Sequence, residues 1–207
     1  MERIEVTRAT TESKMSVVLD FSPLSSDYRE KINTPLTFLN HMIEHIAWRS
    51  GINITTEVVL DKFTLNHLIC EDLGIALGKA VAEYVRRKAG AGVVGYGDAY
   101  GIIDEARAHS LISFESRAYF DIDYNGISLC DEVEGMYKED LETFLLGFSQ
   151  GANCTLQISL EKGVNGHHIW EAIFRSLGTT LGNALALDER RIGKTAGVAG
   201  AIDWEIK

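Results

Sequence analysis

Cysteine, proline and basic side chains are scarce in this chain: three, two and twenty of them in 207 residues. Cys70, Cys130 and Cys154 are odd in number, far apart and in no Cys-x-x-Cys arrangement. That argues against a disulfide framework or a cysteine zinc site and predicts buried thiols in a reducing compartment. No apolar run approaches the ~20 residues that span a bilayer, so no membrane partner is expected. Met1–Glu5 lacks the basic-then-apolar opening of a signal peptide, so a cytoplasmic protein is expected. Thirty acidic residues against the twenty basic ones give a net charge of -10, which repels bare nucleic acid and anionic membranes. The local clusters Arg86-Arg87-Lys88 and Arg190-Arg191 read as helix C-termini, where cations favour the macrodipole.

What the chain has in their place is a repeat of itself. A shift of 100 residues lays Gly51–Gly78 over Gly151–Gly178 without a gap, with ten identities in twenty-eight positions. Average composition would give roughly two by chance. Gly90 and Gly92 free the backbone to turn between the halves. The division follows as a first repeat over 1–92 and a second over 93–207 that carries a C-terminal tail.

Each half alternates between two periods. Met15–Phe21 and Leu111–Ile122 are rich in β-branched and aromatic residues and read as strands, as do Ile52–Leu60 and Ala152–Leu160. Helical spacing runs through Phe38–Arg49, His67–Lys88, Glu139–Gln150 and His167–Leu187. Strand pairs interleaved with helices predict an α+β, internally duplicated unit, each half a β-sheet covered on one face by two helices.

Projected on a wheel, Ile69, Leu73, Ala76, Leu77, Ala80 and Tyr84 form the core face of one long helix, and Ile169, Ile173 and Leu177 that of the other. His67, Glu71, Gly74 and Gly78 fall opposite, as do His167, Glu171 and Gly178, with His168 on the flank. An imidazole and a carboxylate at i and i+4 are neighbours that suit a divalent cation, although a lone pair of this kind is more often a solvated ion pair. The repetition in register favours metal, and a stripe turned from its own core expects further ligands from another element or subunit, hence an oligomer. His45, one turn after His41, is read as a helix-surface residue.

Several ordered motifs then bear on the family. Arg8-Ala-Thr-Thr-Glu12, Ile32–Met42, His67–Gly78, Ile103–Ala106, Ser116-Arg117 and Asn165–Phe174 occur in that order. Together they resemble the R-x-T-x-E, I-x-T-G-I-G-F-L-D-H-M, H-H-x-x-E-D, D-E-A, S-G-R-P and N-x-H-H-x-x-E-A-x-F segments of imidazoleglycerol-phosphate dehydratases. The resemblance implies the ribosomal protein S5 domain 2-like fold and a homo-oligomeric shell of about 24 subunits built from trimers. It also implies Mn2+, one or two per chain, and dehydration of D-erythro-imidazole-glycerol phosphate to imidazole acetol phosphate in histidine biosynthesis. By motif position the metal ligands would be His41, His67, Glu71, His167, His168 and Glu171. Glu12 and Glu171 would serve catalysis, and Arg117, Lys194 and Thr195 the phosphate of this small-molecule imidazole phosphate.

The departures matter as much. Leu68 and Gln157 stand where the family has histidine, which points to one weakened or empty metal position. Gly95 replaces a family arginine, Lys194-Thr-Ala-Gly197 replaces S-T-K-G, and Asn40 replaces the aspartate beside His41. Two alternatives therefore stay open: a catalytically degenerate paralogue acting as a metal-binding or structural oligomer, and an enzyme on a related substrate.

Overall fold

A computed structural model of the chain describes residues 2–200, 202 and 205. The first half runs β1 (Arg3–Ala9), β2 (Ser13–Asp20), α1 (Thr37–Ser50), β3 (Asn53–Leu60) and α2 (Asn66–Arg87). The second runs β4 (Tyr96–Ile103), β5 (Ala106–Ser113), β6 (Tyr119–Asp123), the hairpin β7 (Glu132–Val133) and β8 (Met136–Tyr137), then α3 (Lys138–Ala152), β9 (Thr155–Lys162) and α4 (Gly166–Leu185). Short 3-10 turns stand at Tyr28–Lys31 and Glu189–Arg191.

The duplication is visible in the sheets. One has the antiparallel order β1-β2-β3; the other has β4-β5-β9-β6, with β6 parallel to β9. The first sheet keeps a remnant of its missing fourth strand, a parallel bridge from Ile32 to Thr56. Thr56 corresponds under the 100-residue shift to Leu156, which pairs in parallel with Phe120 of β6. In β2 every second side chain (Met15, Val17, Leu19) is fully buried, as a sheet with one solvated face requires. Apolar side chains from both halves close into one continuous core.

The helices pack across the halves, α2 on α3 and α1 on α4. Glycines set how closely: a Cβ at Gly78 would stand 2.2 Å from the Phe148 carbonyl oxygen, and one at Gly151 would stand 2.2 Å from that of Ile75. The glycine stripes expected to face outward are thus contact faces between repeats, and Gly178 likewise meets α1. The close approach that these glycines permit is thus made by the other repeat's helix, while His67 at the head of the α2 stripe stays exposed.

Two other expectations need correction. Leu111–Ile122 is not one strand, because the chain leaves β5 after Ser113, turns through Ser116 at a φ of 58° and re-enters as β6 on the far edge of β9. Cys70 and Cys154 are buried but Cys130 is exposed. Burial pushes the Cys154 thiol up to about 12 and the Cys70 thiol further in the same direction. No helix among the described residues is long and apolar enough to cross a membrane.

Candidate metal centre

The centre is assembled where α4 begins. Asn165 caps the helix, its side-chain oxygen accepting from the backbone N–H groups of His167 at 2.9 Å and His168 at 3.3 Å. One turn later Glu171 is 5% exposed, accepts from the Arg175 guanidinium, and lies 3.6 Å from His167 Nε2. Arg175 also donates to the Ile102 carbonyl at 2.9 Å, which fixes it across the start of the second sheet.

Helix α1 closes the site from the other repeat. A Cβ at Gly178 would be only 2.8 Å from the His45 carbonyl oxygen, so the two backbones run close enough for α1 side chains to reach Glu171. The ligand atoms of His41, His167 and Glu171 come within 4.8 Å of one another. A candidate ligand from another element thus lies beside the α4 pair within the same chain. His45 joins them, its side chain only 12% exposed and its Nε2 at 2.9 Å from Glu171 Oε1. It is not the surface residue its position suggested. Burial, followed by the charges of His41 and Arg175, pushes its imidazole down to about 3 and keeps it neutral.

The far ring nitrogens are tied to carboxylates. His41 Nδ1 lies 3.4 Å from Glu44 Oε2, and His167 Nδ1 lies 3.1 Å from Glu134 Oε1. An Nδ1–H donating to a carboxylate leaves the Nε2 lone pair free, which is the tautomer a metal ligand needs. The carboxylate that orients His41 is Glu44; Asn40, the substituted residue, donates instead to the Thr34 carbonyl at 3.0 Å.

His168 shows the same anchoring but faces elsewhere. Its Nδ1 is 2.8 Å from Glu105 Oε2, and its Nε2 is 3.9 Å from Asp104 Oδ2. The Asn165 backbone N–H, followed by His168, pulls the Glu105 carboxyl down to about 2, and hydrogen bonding to Glu105 raises His168.

The first-repeat pair is not brought into this cluster. His67 is exposed and Glu71 half-buried near the start of α2, and no group of three ligands forms around them among the described residues. The β1–β2 turn is clamped beside them: Asp72 pairs with Arg8 at 2.9 Å and accepts from Ser13 Oγ at 2.6 Å. Glu12 sits exposed in that turn, its backbone N–H donating to Thr10 Oγ1 at 3.1 Å. It lines a recess with Lys62, Phe63 and Leu68, so the leucine that replaced a histidine forms its wall. Gln157 is exposed on β9, between Leu111 and Asp121 of the neighbouring strands.

The expected phosphate residues are not brought into one recess: Thr195 lines one with Ser116 and another with Lys194, and Arg117, exposed next to Ser116 in the chain, lines neither. Gly95 has a φ of +74°, and a Cβ there would stand 2.5 Å from Ala196 Cβ. A side chain at position 95 would be strained and would force the Ala196 segment to shift, and the two positions where the family motifs carry Arg and Lys are here a glycine packed against an alanine.

Comparison with known proteins agrees with the geometry. The family described as imidazoleglycerol-phosphate dehydratase matches residues 34–181. The imidazoleglycerol-phosphate dehydratase of Ralstonia pickettii (strain 12J) is 33% identical over 201 residues, 97% of this chain and 98% of that protein. That of Burkholderia multivorans (strain ATCC 17616 / 249) is 34% identical over 205 residues, 98% of this chain and 100% of its own length. The Staphylococcus aureus enzyme's crystal structure superposes with a TM-score of 0.75 at 28% identity, covering 90% of this chain and 100% of that one. The Pyrococcus furiosus enzyme in complex with (S)-C348 gives 0.77 at 27% identity, over 95% and 99%. Matched across the histidines of α1, α2 and α4 and along nearly its whole length, the chain belongs to the imidazoleglycerol-phosphate dehydratase family.

Proposed function

We propose that this chain is a metal-dependent hydro-lyase that dehydrates D-erythro-imidazole-glycerol phosphate to imidazole acetol phosphate. The observation that carries the reading is the convergence of His41, His167 and Glu171, with both imidazoles anchored through Nδ1 to carboxylates. The donor set fits a divalent transition cation, Mn2+ by family resemblance, because it offers two oriented Nε2 lone pairs and a buried carboxylate. Bound there, the cation would supply Lewis acidity toward an imidazole ring that takes up negative charge as a neighbouring C–H loses its proton.

The chain's own groups do the rest. Glu171 is held by Arg175 in one orientation, so its carboxylate needs no reorganisation when charge shifts nearby. Glu12 is the base: an exposed carboxylate on a turn pinned to α2 by the Arg8–Asp72 pair, free to accept a proton from a bound substrate. Within one chain Glu12 lines a recess apart from the His41 cluster, so a complete site draws Glu12, His67 and Glu71 from a second copy. On this reading the protein works as a homo-oligomer of two-repeat subunits, 1–92 and 93–207, in the cytoplasm. His168, with Glu105 behind it, serves the second cation of such a shared site. Arg117, Lys194 and Thr195 receive the phosphate.

One observation favours a second reading, an enzyme on a related substrate with a less anionic tail: the Gly95–Ala196 contact removes two cationic positions together. Losing a bidentate arginine costs on the order of 1.5 to 3 kcal/mol of anion binding. Both readings meet one assay. Purified chain with Mn2+ and the authentic substrate should form the imidazole acetol phosphate, and expression should restore growth to a histidine auxotroph lacking the dehydratase. Turnover only on the dephosphorylated analogue selects the second reading, and no turnover on either, with metal bound, rejects both.

A further inference from the structure

His45 has no part in the family motifs, yet it borders the group formed by His41, His167 and Glu171. Its Nε2 is 3.4 Å from His41 Nε2 and 2.9 Å from Glu171 Oε1. Donors around a cation with bonds of ~2.1 Å sit about 3.0 Å apart at an octahedral edge and about 3.4 Å apart at a tetrahedral one. Both contacts fall on that scale. The spacing His41–His45 is the same i, i+4 relation that brings His167 to Glu171, so α1 and α4 each present two donors from adjacent turns. Close approach at Gly178 holds the two turns together.

Charge around the imidazoles is balanced before a cation enters: the carboxylates of Glu171, Glu44 and Glu134 stand against the guanidiniums of Arg175, of Arg49, and of Arg29, which pairs with Glu44 at 3.0 Å. The other repeat has no counterpart, since positions 141 and 145 are leucines buried in the core. Two imidazoles are also missing at Leu68 and Gln157.

We propose that His45 is a fourth protein ligand, and that with His41, His167 and Glu171 it makes a divalent transition-metal site held wholly by one chain. The proposal rests on reading the other three residues as ligands, and one series of variants separates the two. Metal-free full-length protein is titrated with Co2+, following the visible absorption of the bound ion. The unmutated chain should bind one tight Co2+, with an affinity that does not change as the protein is diluted. His45→Gln should weaken binding by about tenfold or more and lower the visible band; His41→Ala should abolish it. If His45→Gln binds with unchanged affinity and spectrum while His41→Ala fails, His45 is not a ligand and the cluster reading survives. If His41→Ala also binds normally, the cluster reading falls as well. An affinity that rises with protein concentration overturns the single-chain site. A readout without mutation guards against misfolded variants: one equivalent of Co2+ should shift three exchangeable imidazole N–H protons, and two would overturn the proposal.

Discussion

Helices α2 and α4 repeat one sequence pattern and pack on corresponding strands, β1–β2 and β4–β5, yet only α4 walls a candidate metal cluster within the chain. The difference lies in the helix each meets. Helix α4 packs on α1, which supplies His41 and His45, whereas α2 packs on α3, whose positions 141 and 145 are buried leucines. Glu171 is consequently buried beside Arg175 and His45, and Glu71 is half-open with no ion pair among the described residues. Duplication gave both long helices the same His and Glu, and the partner helix decided which pair became a pocket within the chain.

Charge removal should break this equivalence most. Glu171→Gln leaves the Arg175 guanidinium, 21% exposed, without its anion, and the penalty for stranding one member of a largely buried pair is about 3 kcal/mol. Glu71→Gln should cost under about 0.5 kcal/mol. Urea unfolding of the two metal-free variants measures the gap directly. Equal losses would mean that the α4 cluster is no more buried in solution than its counterpart. Activity should vanish in Glu171→Gln, since the proposed ligand and the anchor for Arg175 go together.

Backbone contact supplies the next test. At Gly78 a methyl would meet the Phe148 oxygen at 2.2 Å and the Ala152 nitrogen at 2.6 Å, both main-chain atoms that move only if α2 and α3 part. At Gly182 the nearest atom, Ser50 Cα, is 3.2 Å away, so α1 has to give by only a few tenths of an ångström. Gly78→Ala should therefore destabilise by about 3 kcal/mol. In Gly182→Ala the helical gain of about 1 kcal/mol over glycine offsets the contact, leaving a change near zero. Thermal unfolding of both variants decides whether α2–α3 is in fact the tighter pair.

Much of this was legible in the sequence, and the misses share a cause. All four helices follow from their apolar period, with ends within a few residues of those observed, because periodicity reports burial along a single element. The break between β5 and β6 hides in a run of β-branched and aromatic residues, where composition is the same on both sides of the turn at Ser116. Strand β1 hides for the opposite reason: Arg3, Glu5 and Thr7 alternate with Ile4 and Val6, and only Ile4 is buried. In the site, His41, His167 and Glu171 were within reach of motif reasoning, but His45 was not. Its role depends on α4 crossing α1, which no spacing within α1 records. The available signal was Gly178, a small residue about two turns beyond Glu171 that marks where a neighbouring backbone comes close.

The far ends of the two long helices differ as well, with the smallest expected effect. Helix α2 ends in charge: Glu83 accepts from Arg86 at 2.7 Å and from Arg87 at 2.7 Å, and Arg87 continues to Glu2 beyond β1 at 3.0 Å. The corresponding position on α4 is Asn183, which donates to the Asp98 carbonyl at 3.1 Å and does not titrate. The two guanidiniums hold the Glu83 carboxyl down to about 2, from a usual value of 4.5. A depressed carboxylate stabilises the fold fully above its unfolded value and loses that contribution as pH falls through its folded one. Glu83→Gln should thus flatten the decline in unfolding free energy between about pH 4.5 and pH 2. At pH 7 it should cost only about 0.5 kcal/mol, because the pairs are open to solvent. Asn183→Ala, which removes a neutral hydrogen bond, should shift stability by the same amount at every pH in that window. Parallel acid-limb profiles for the two variants would show that the α2 terminus is held by nothing more than its backbone.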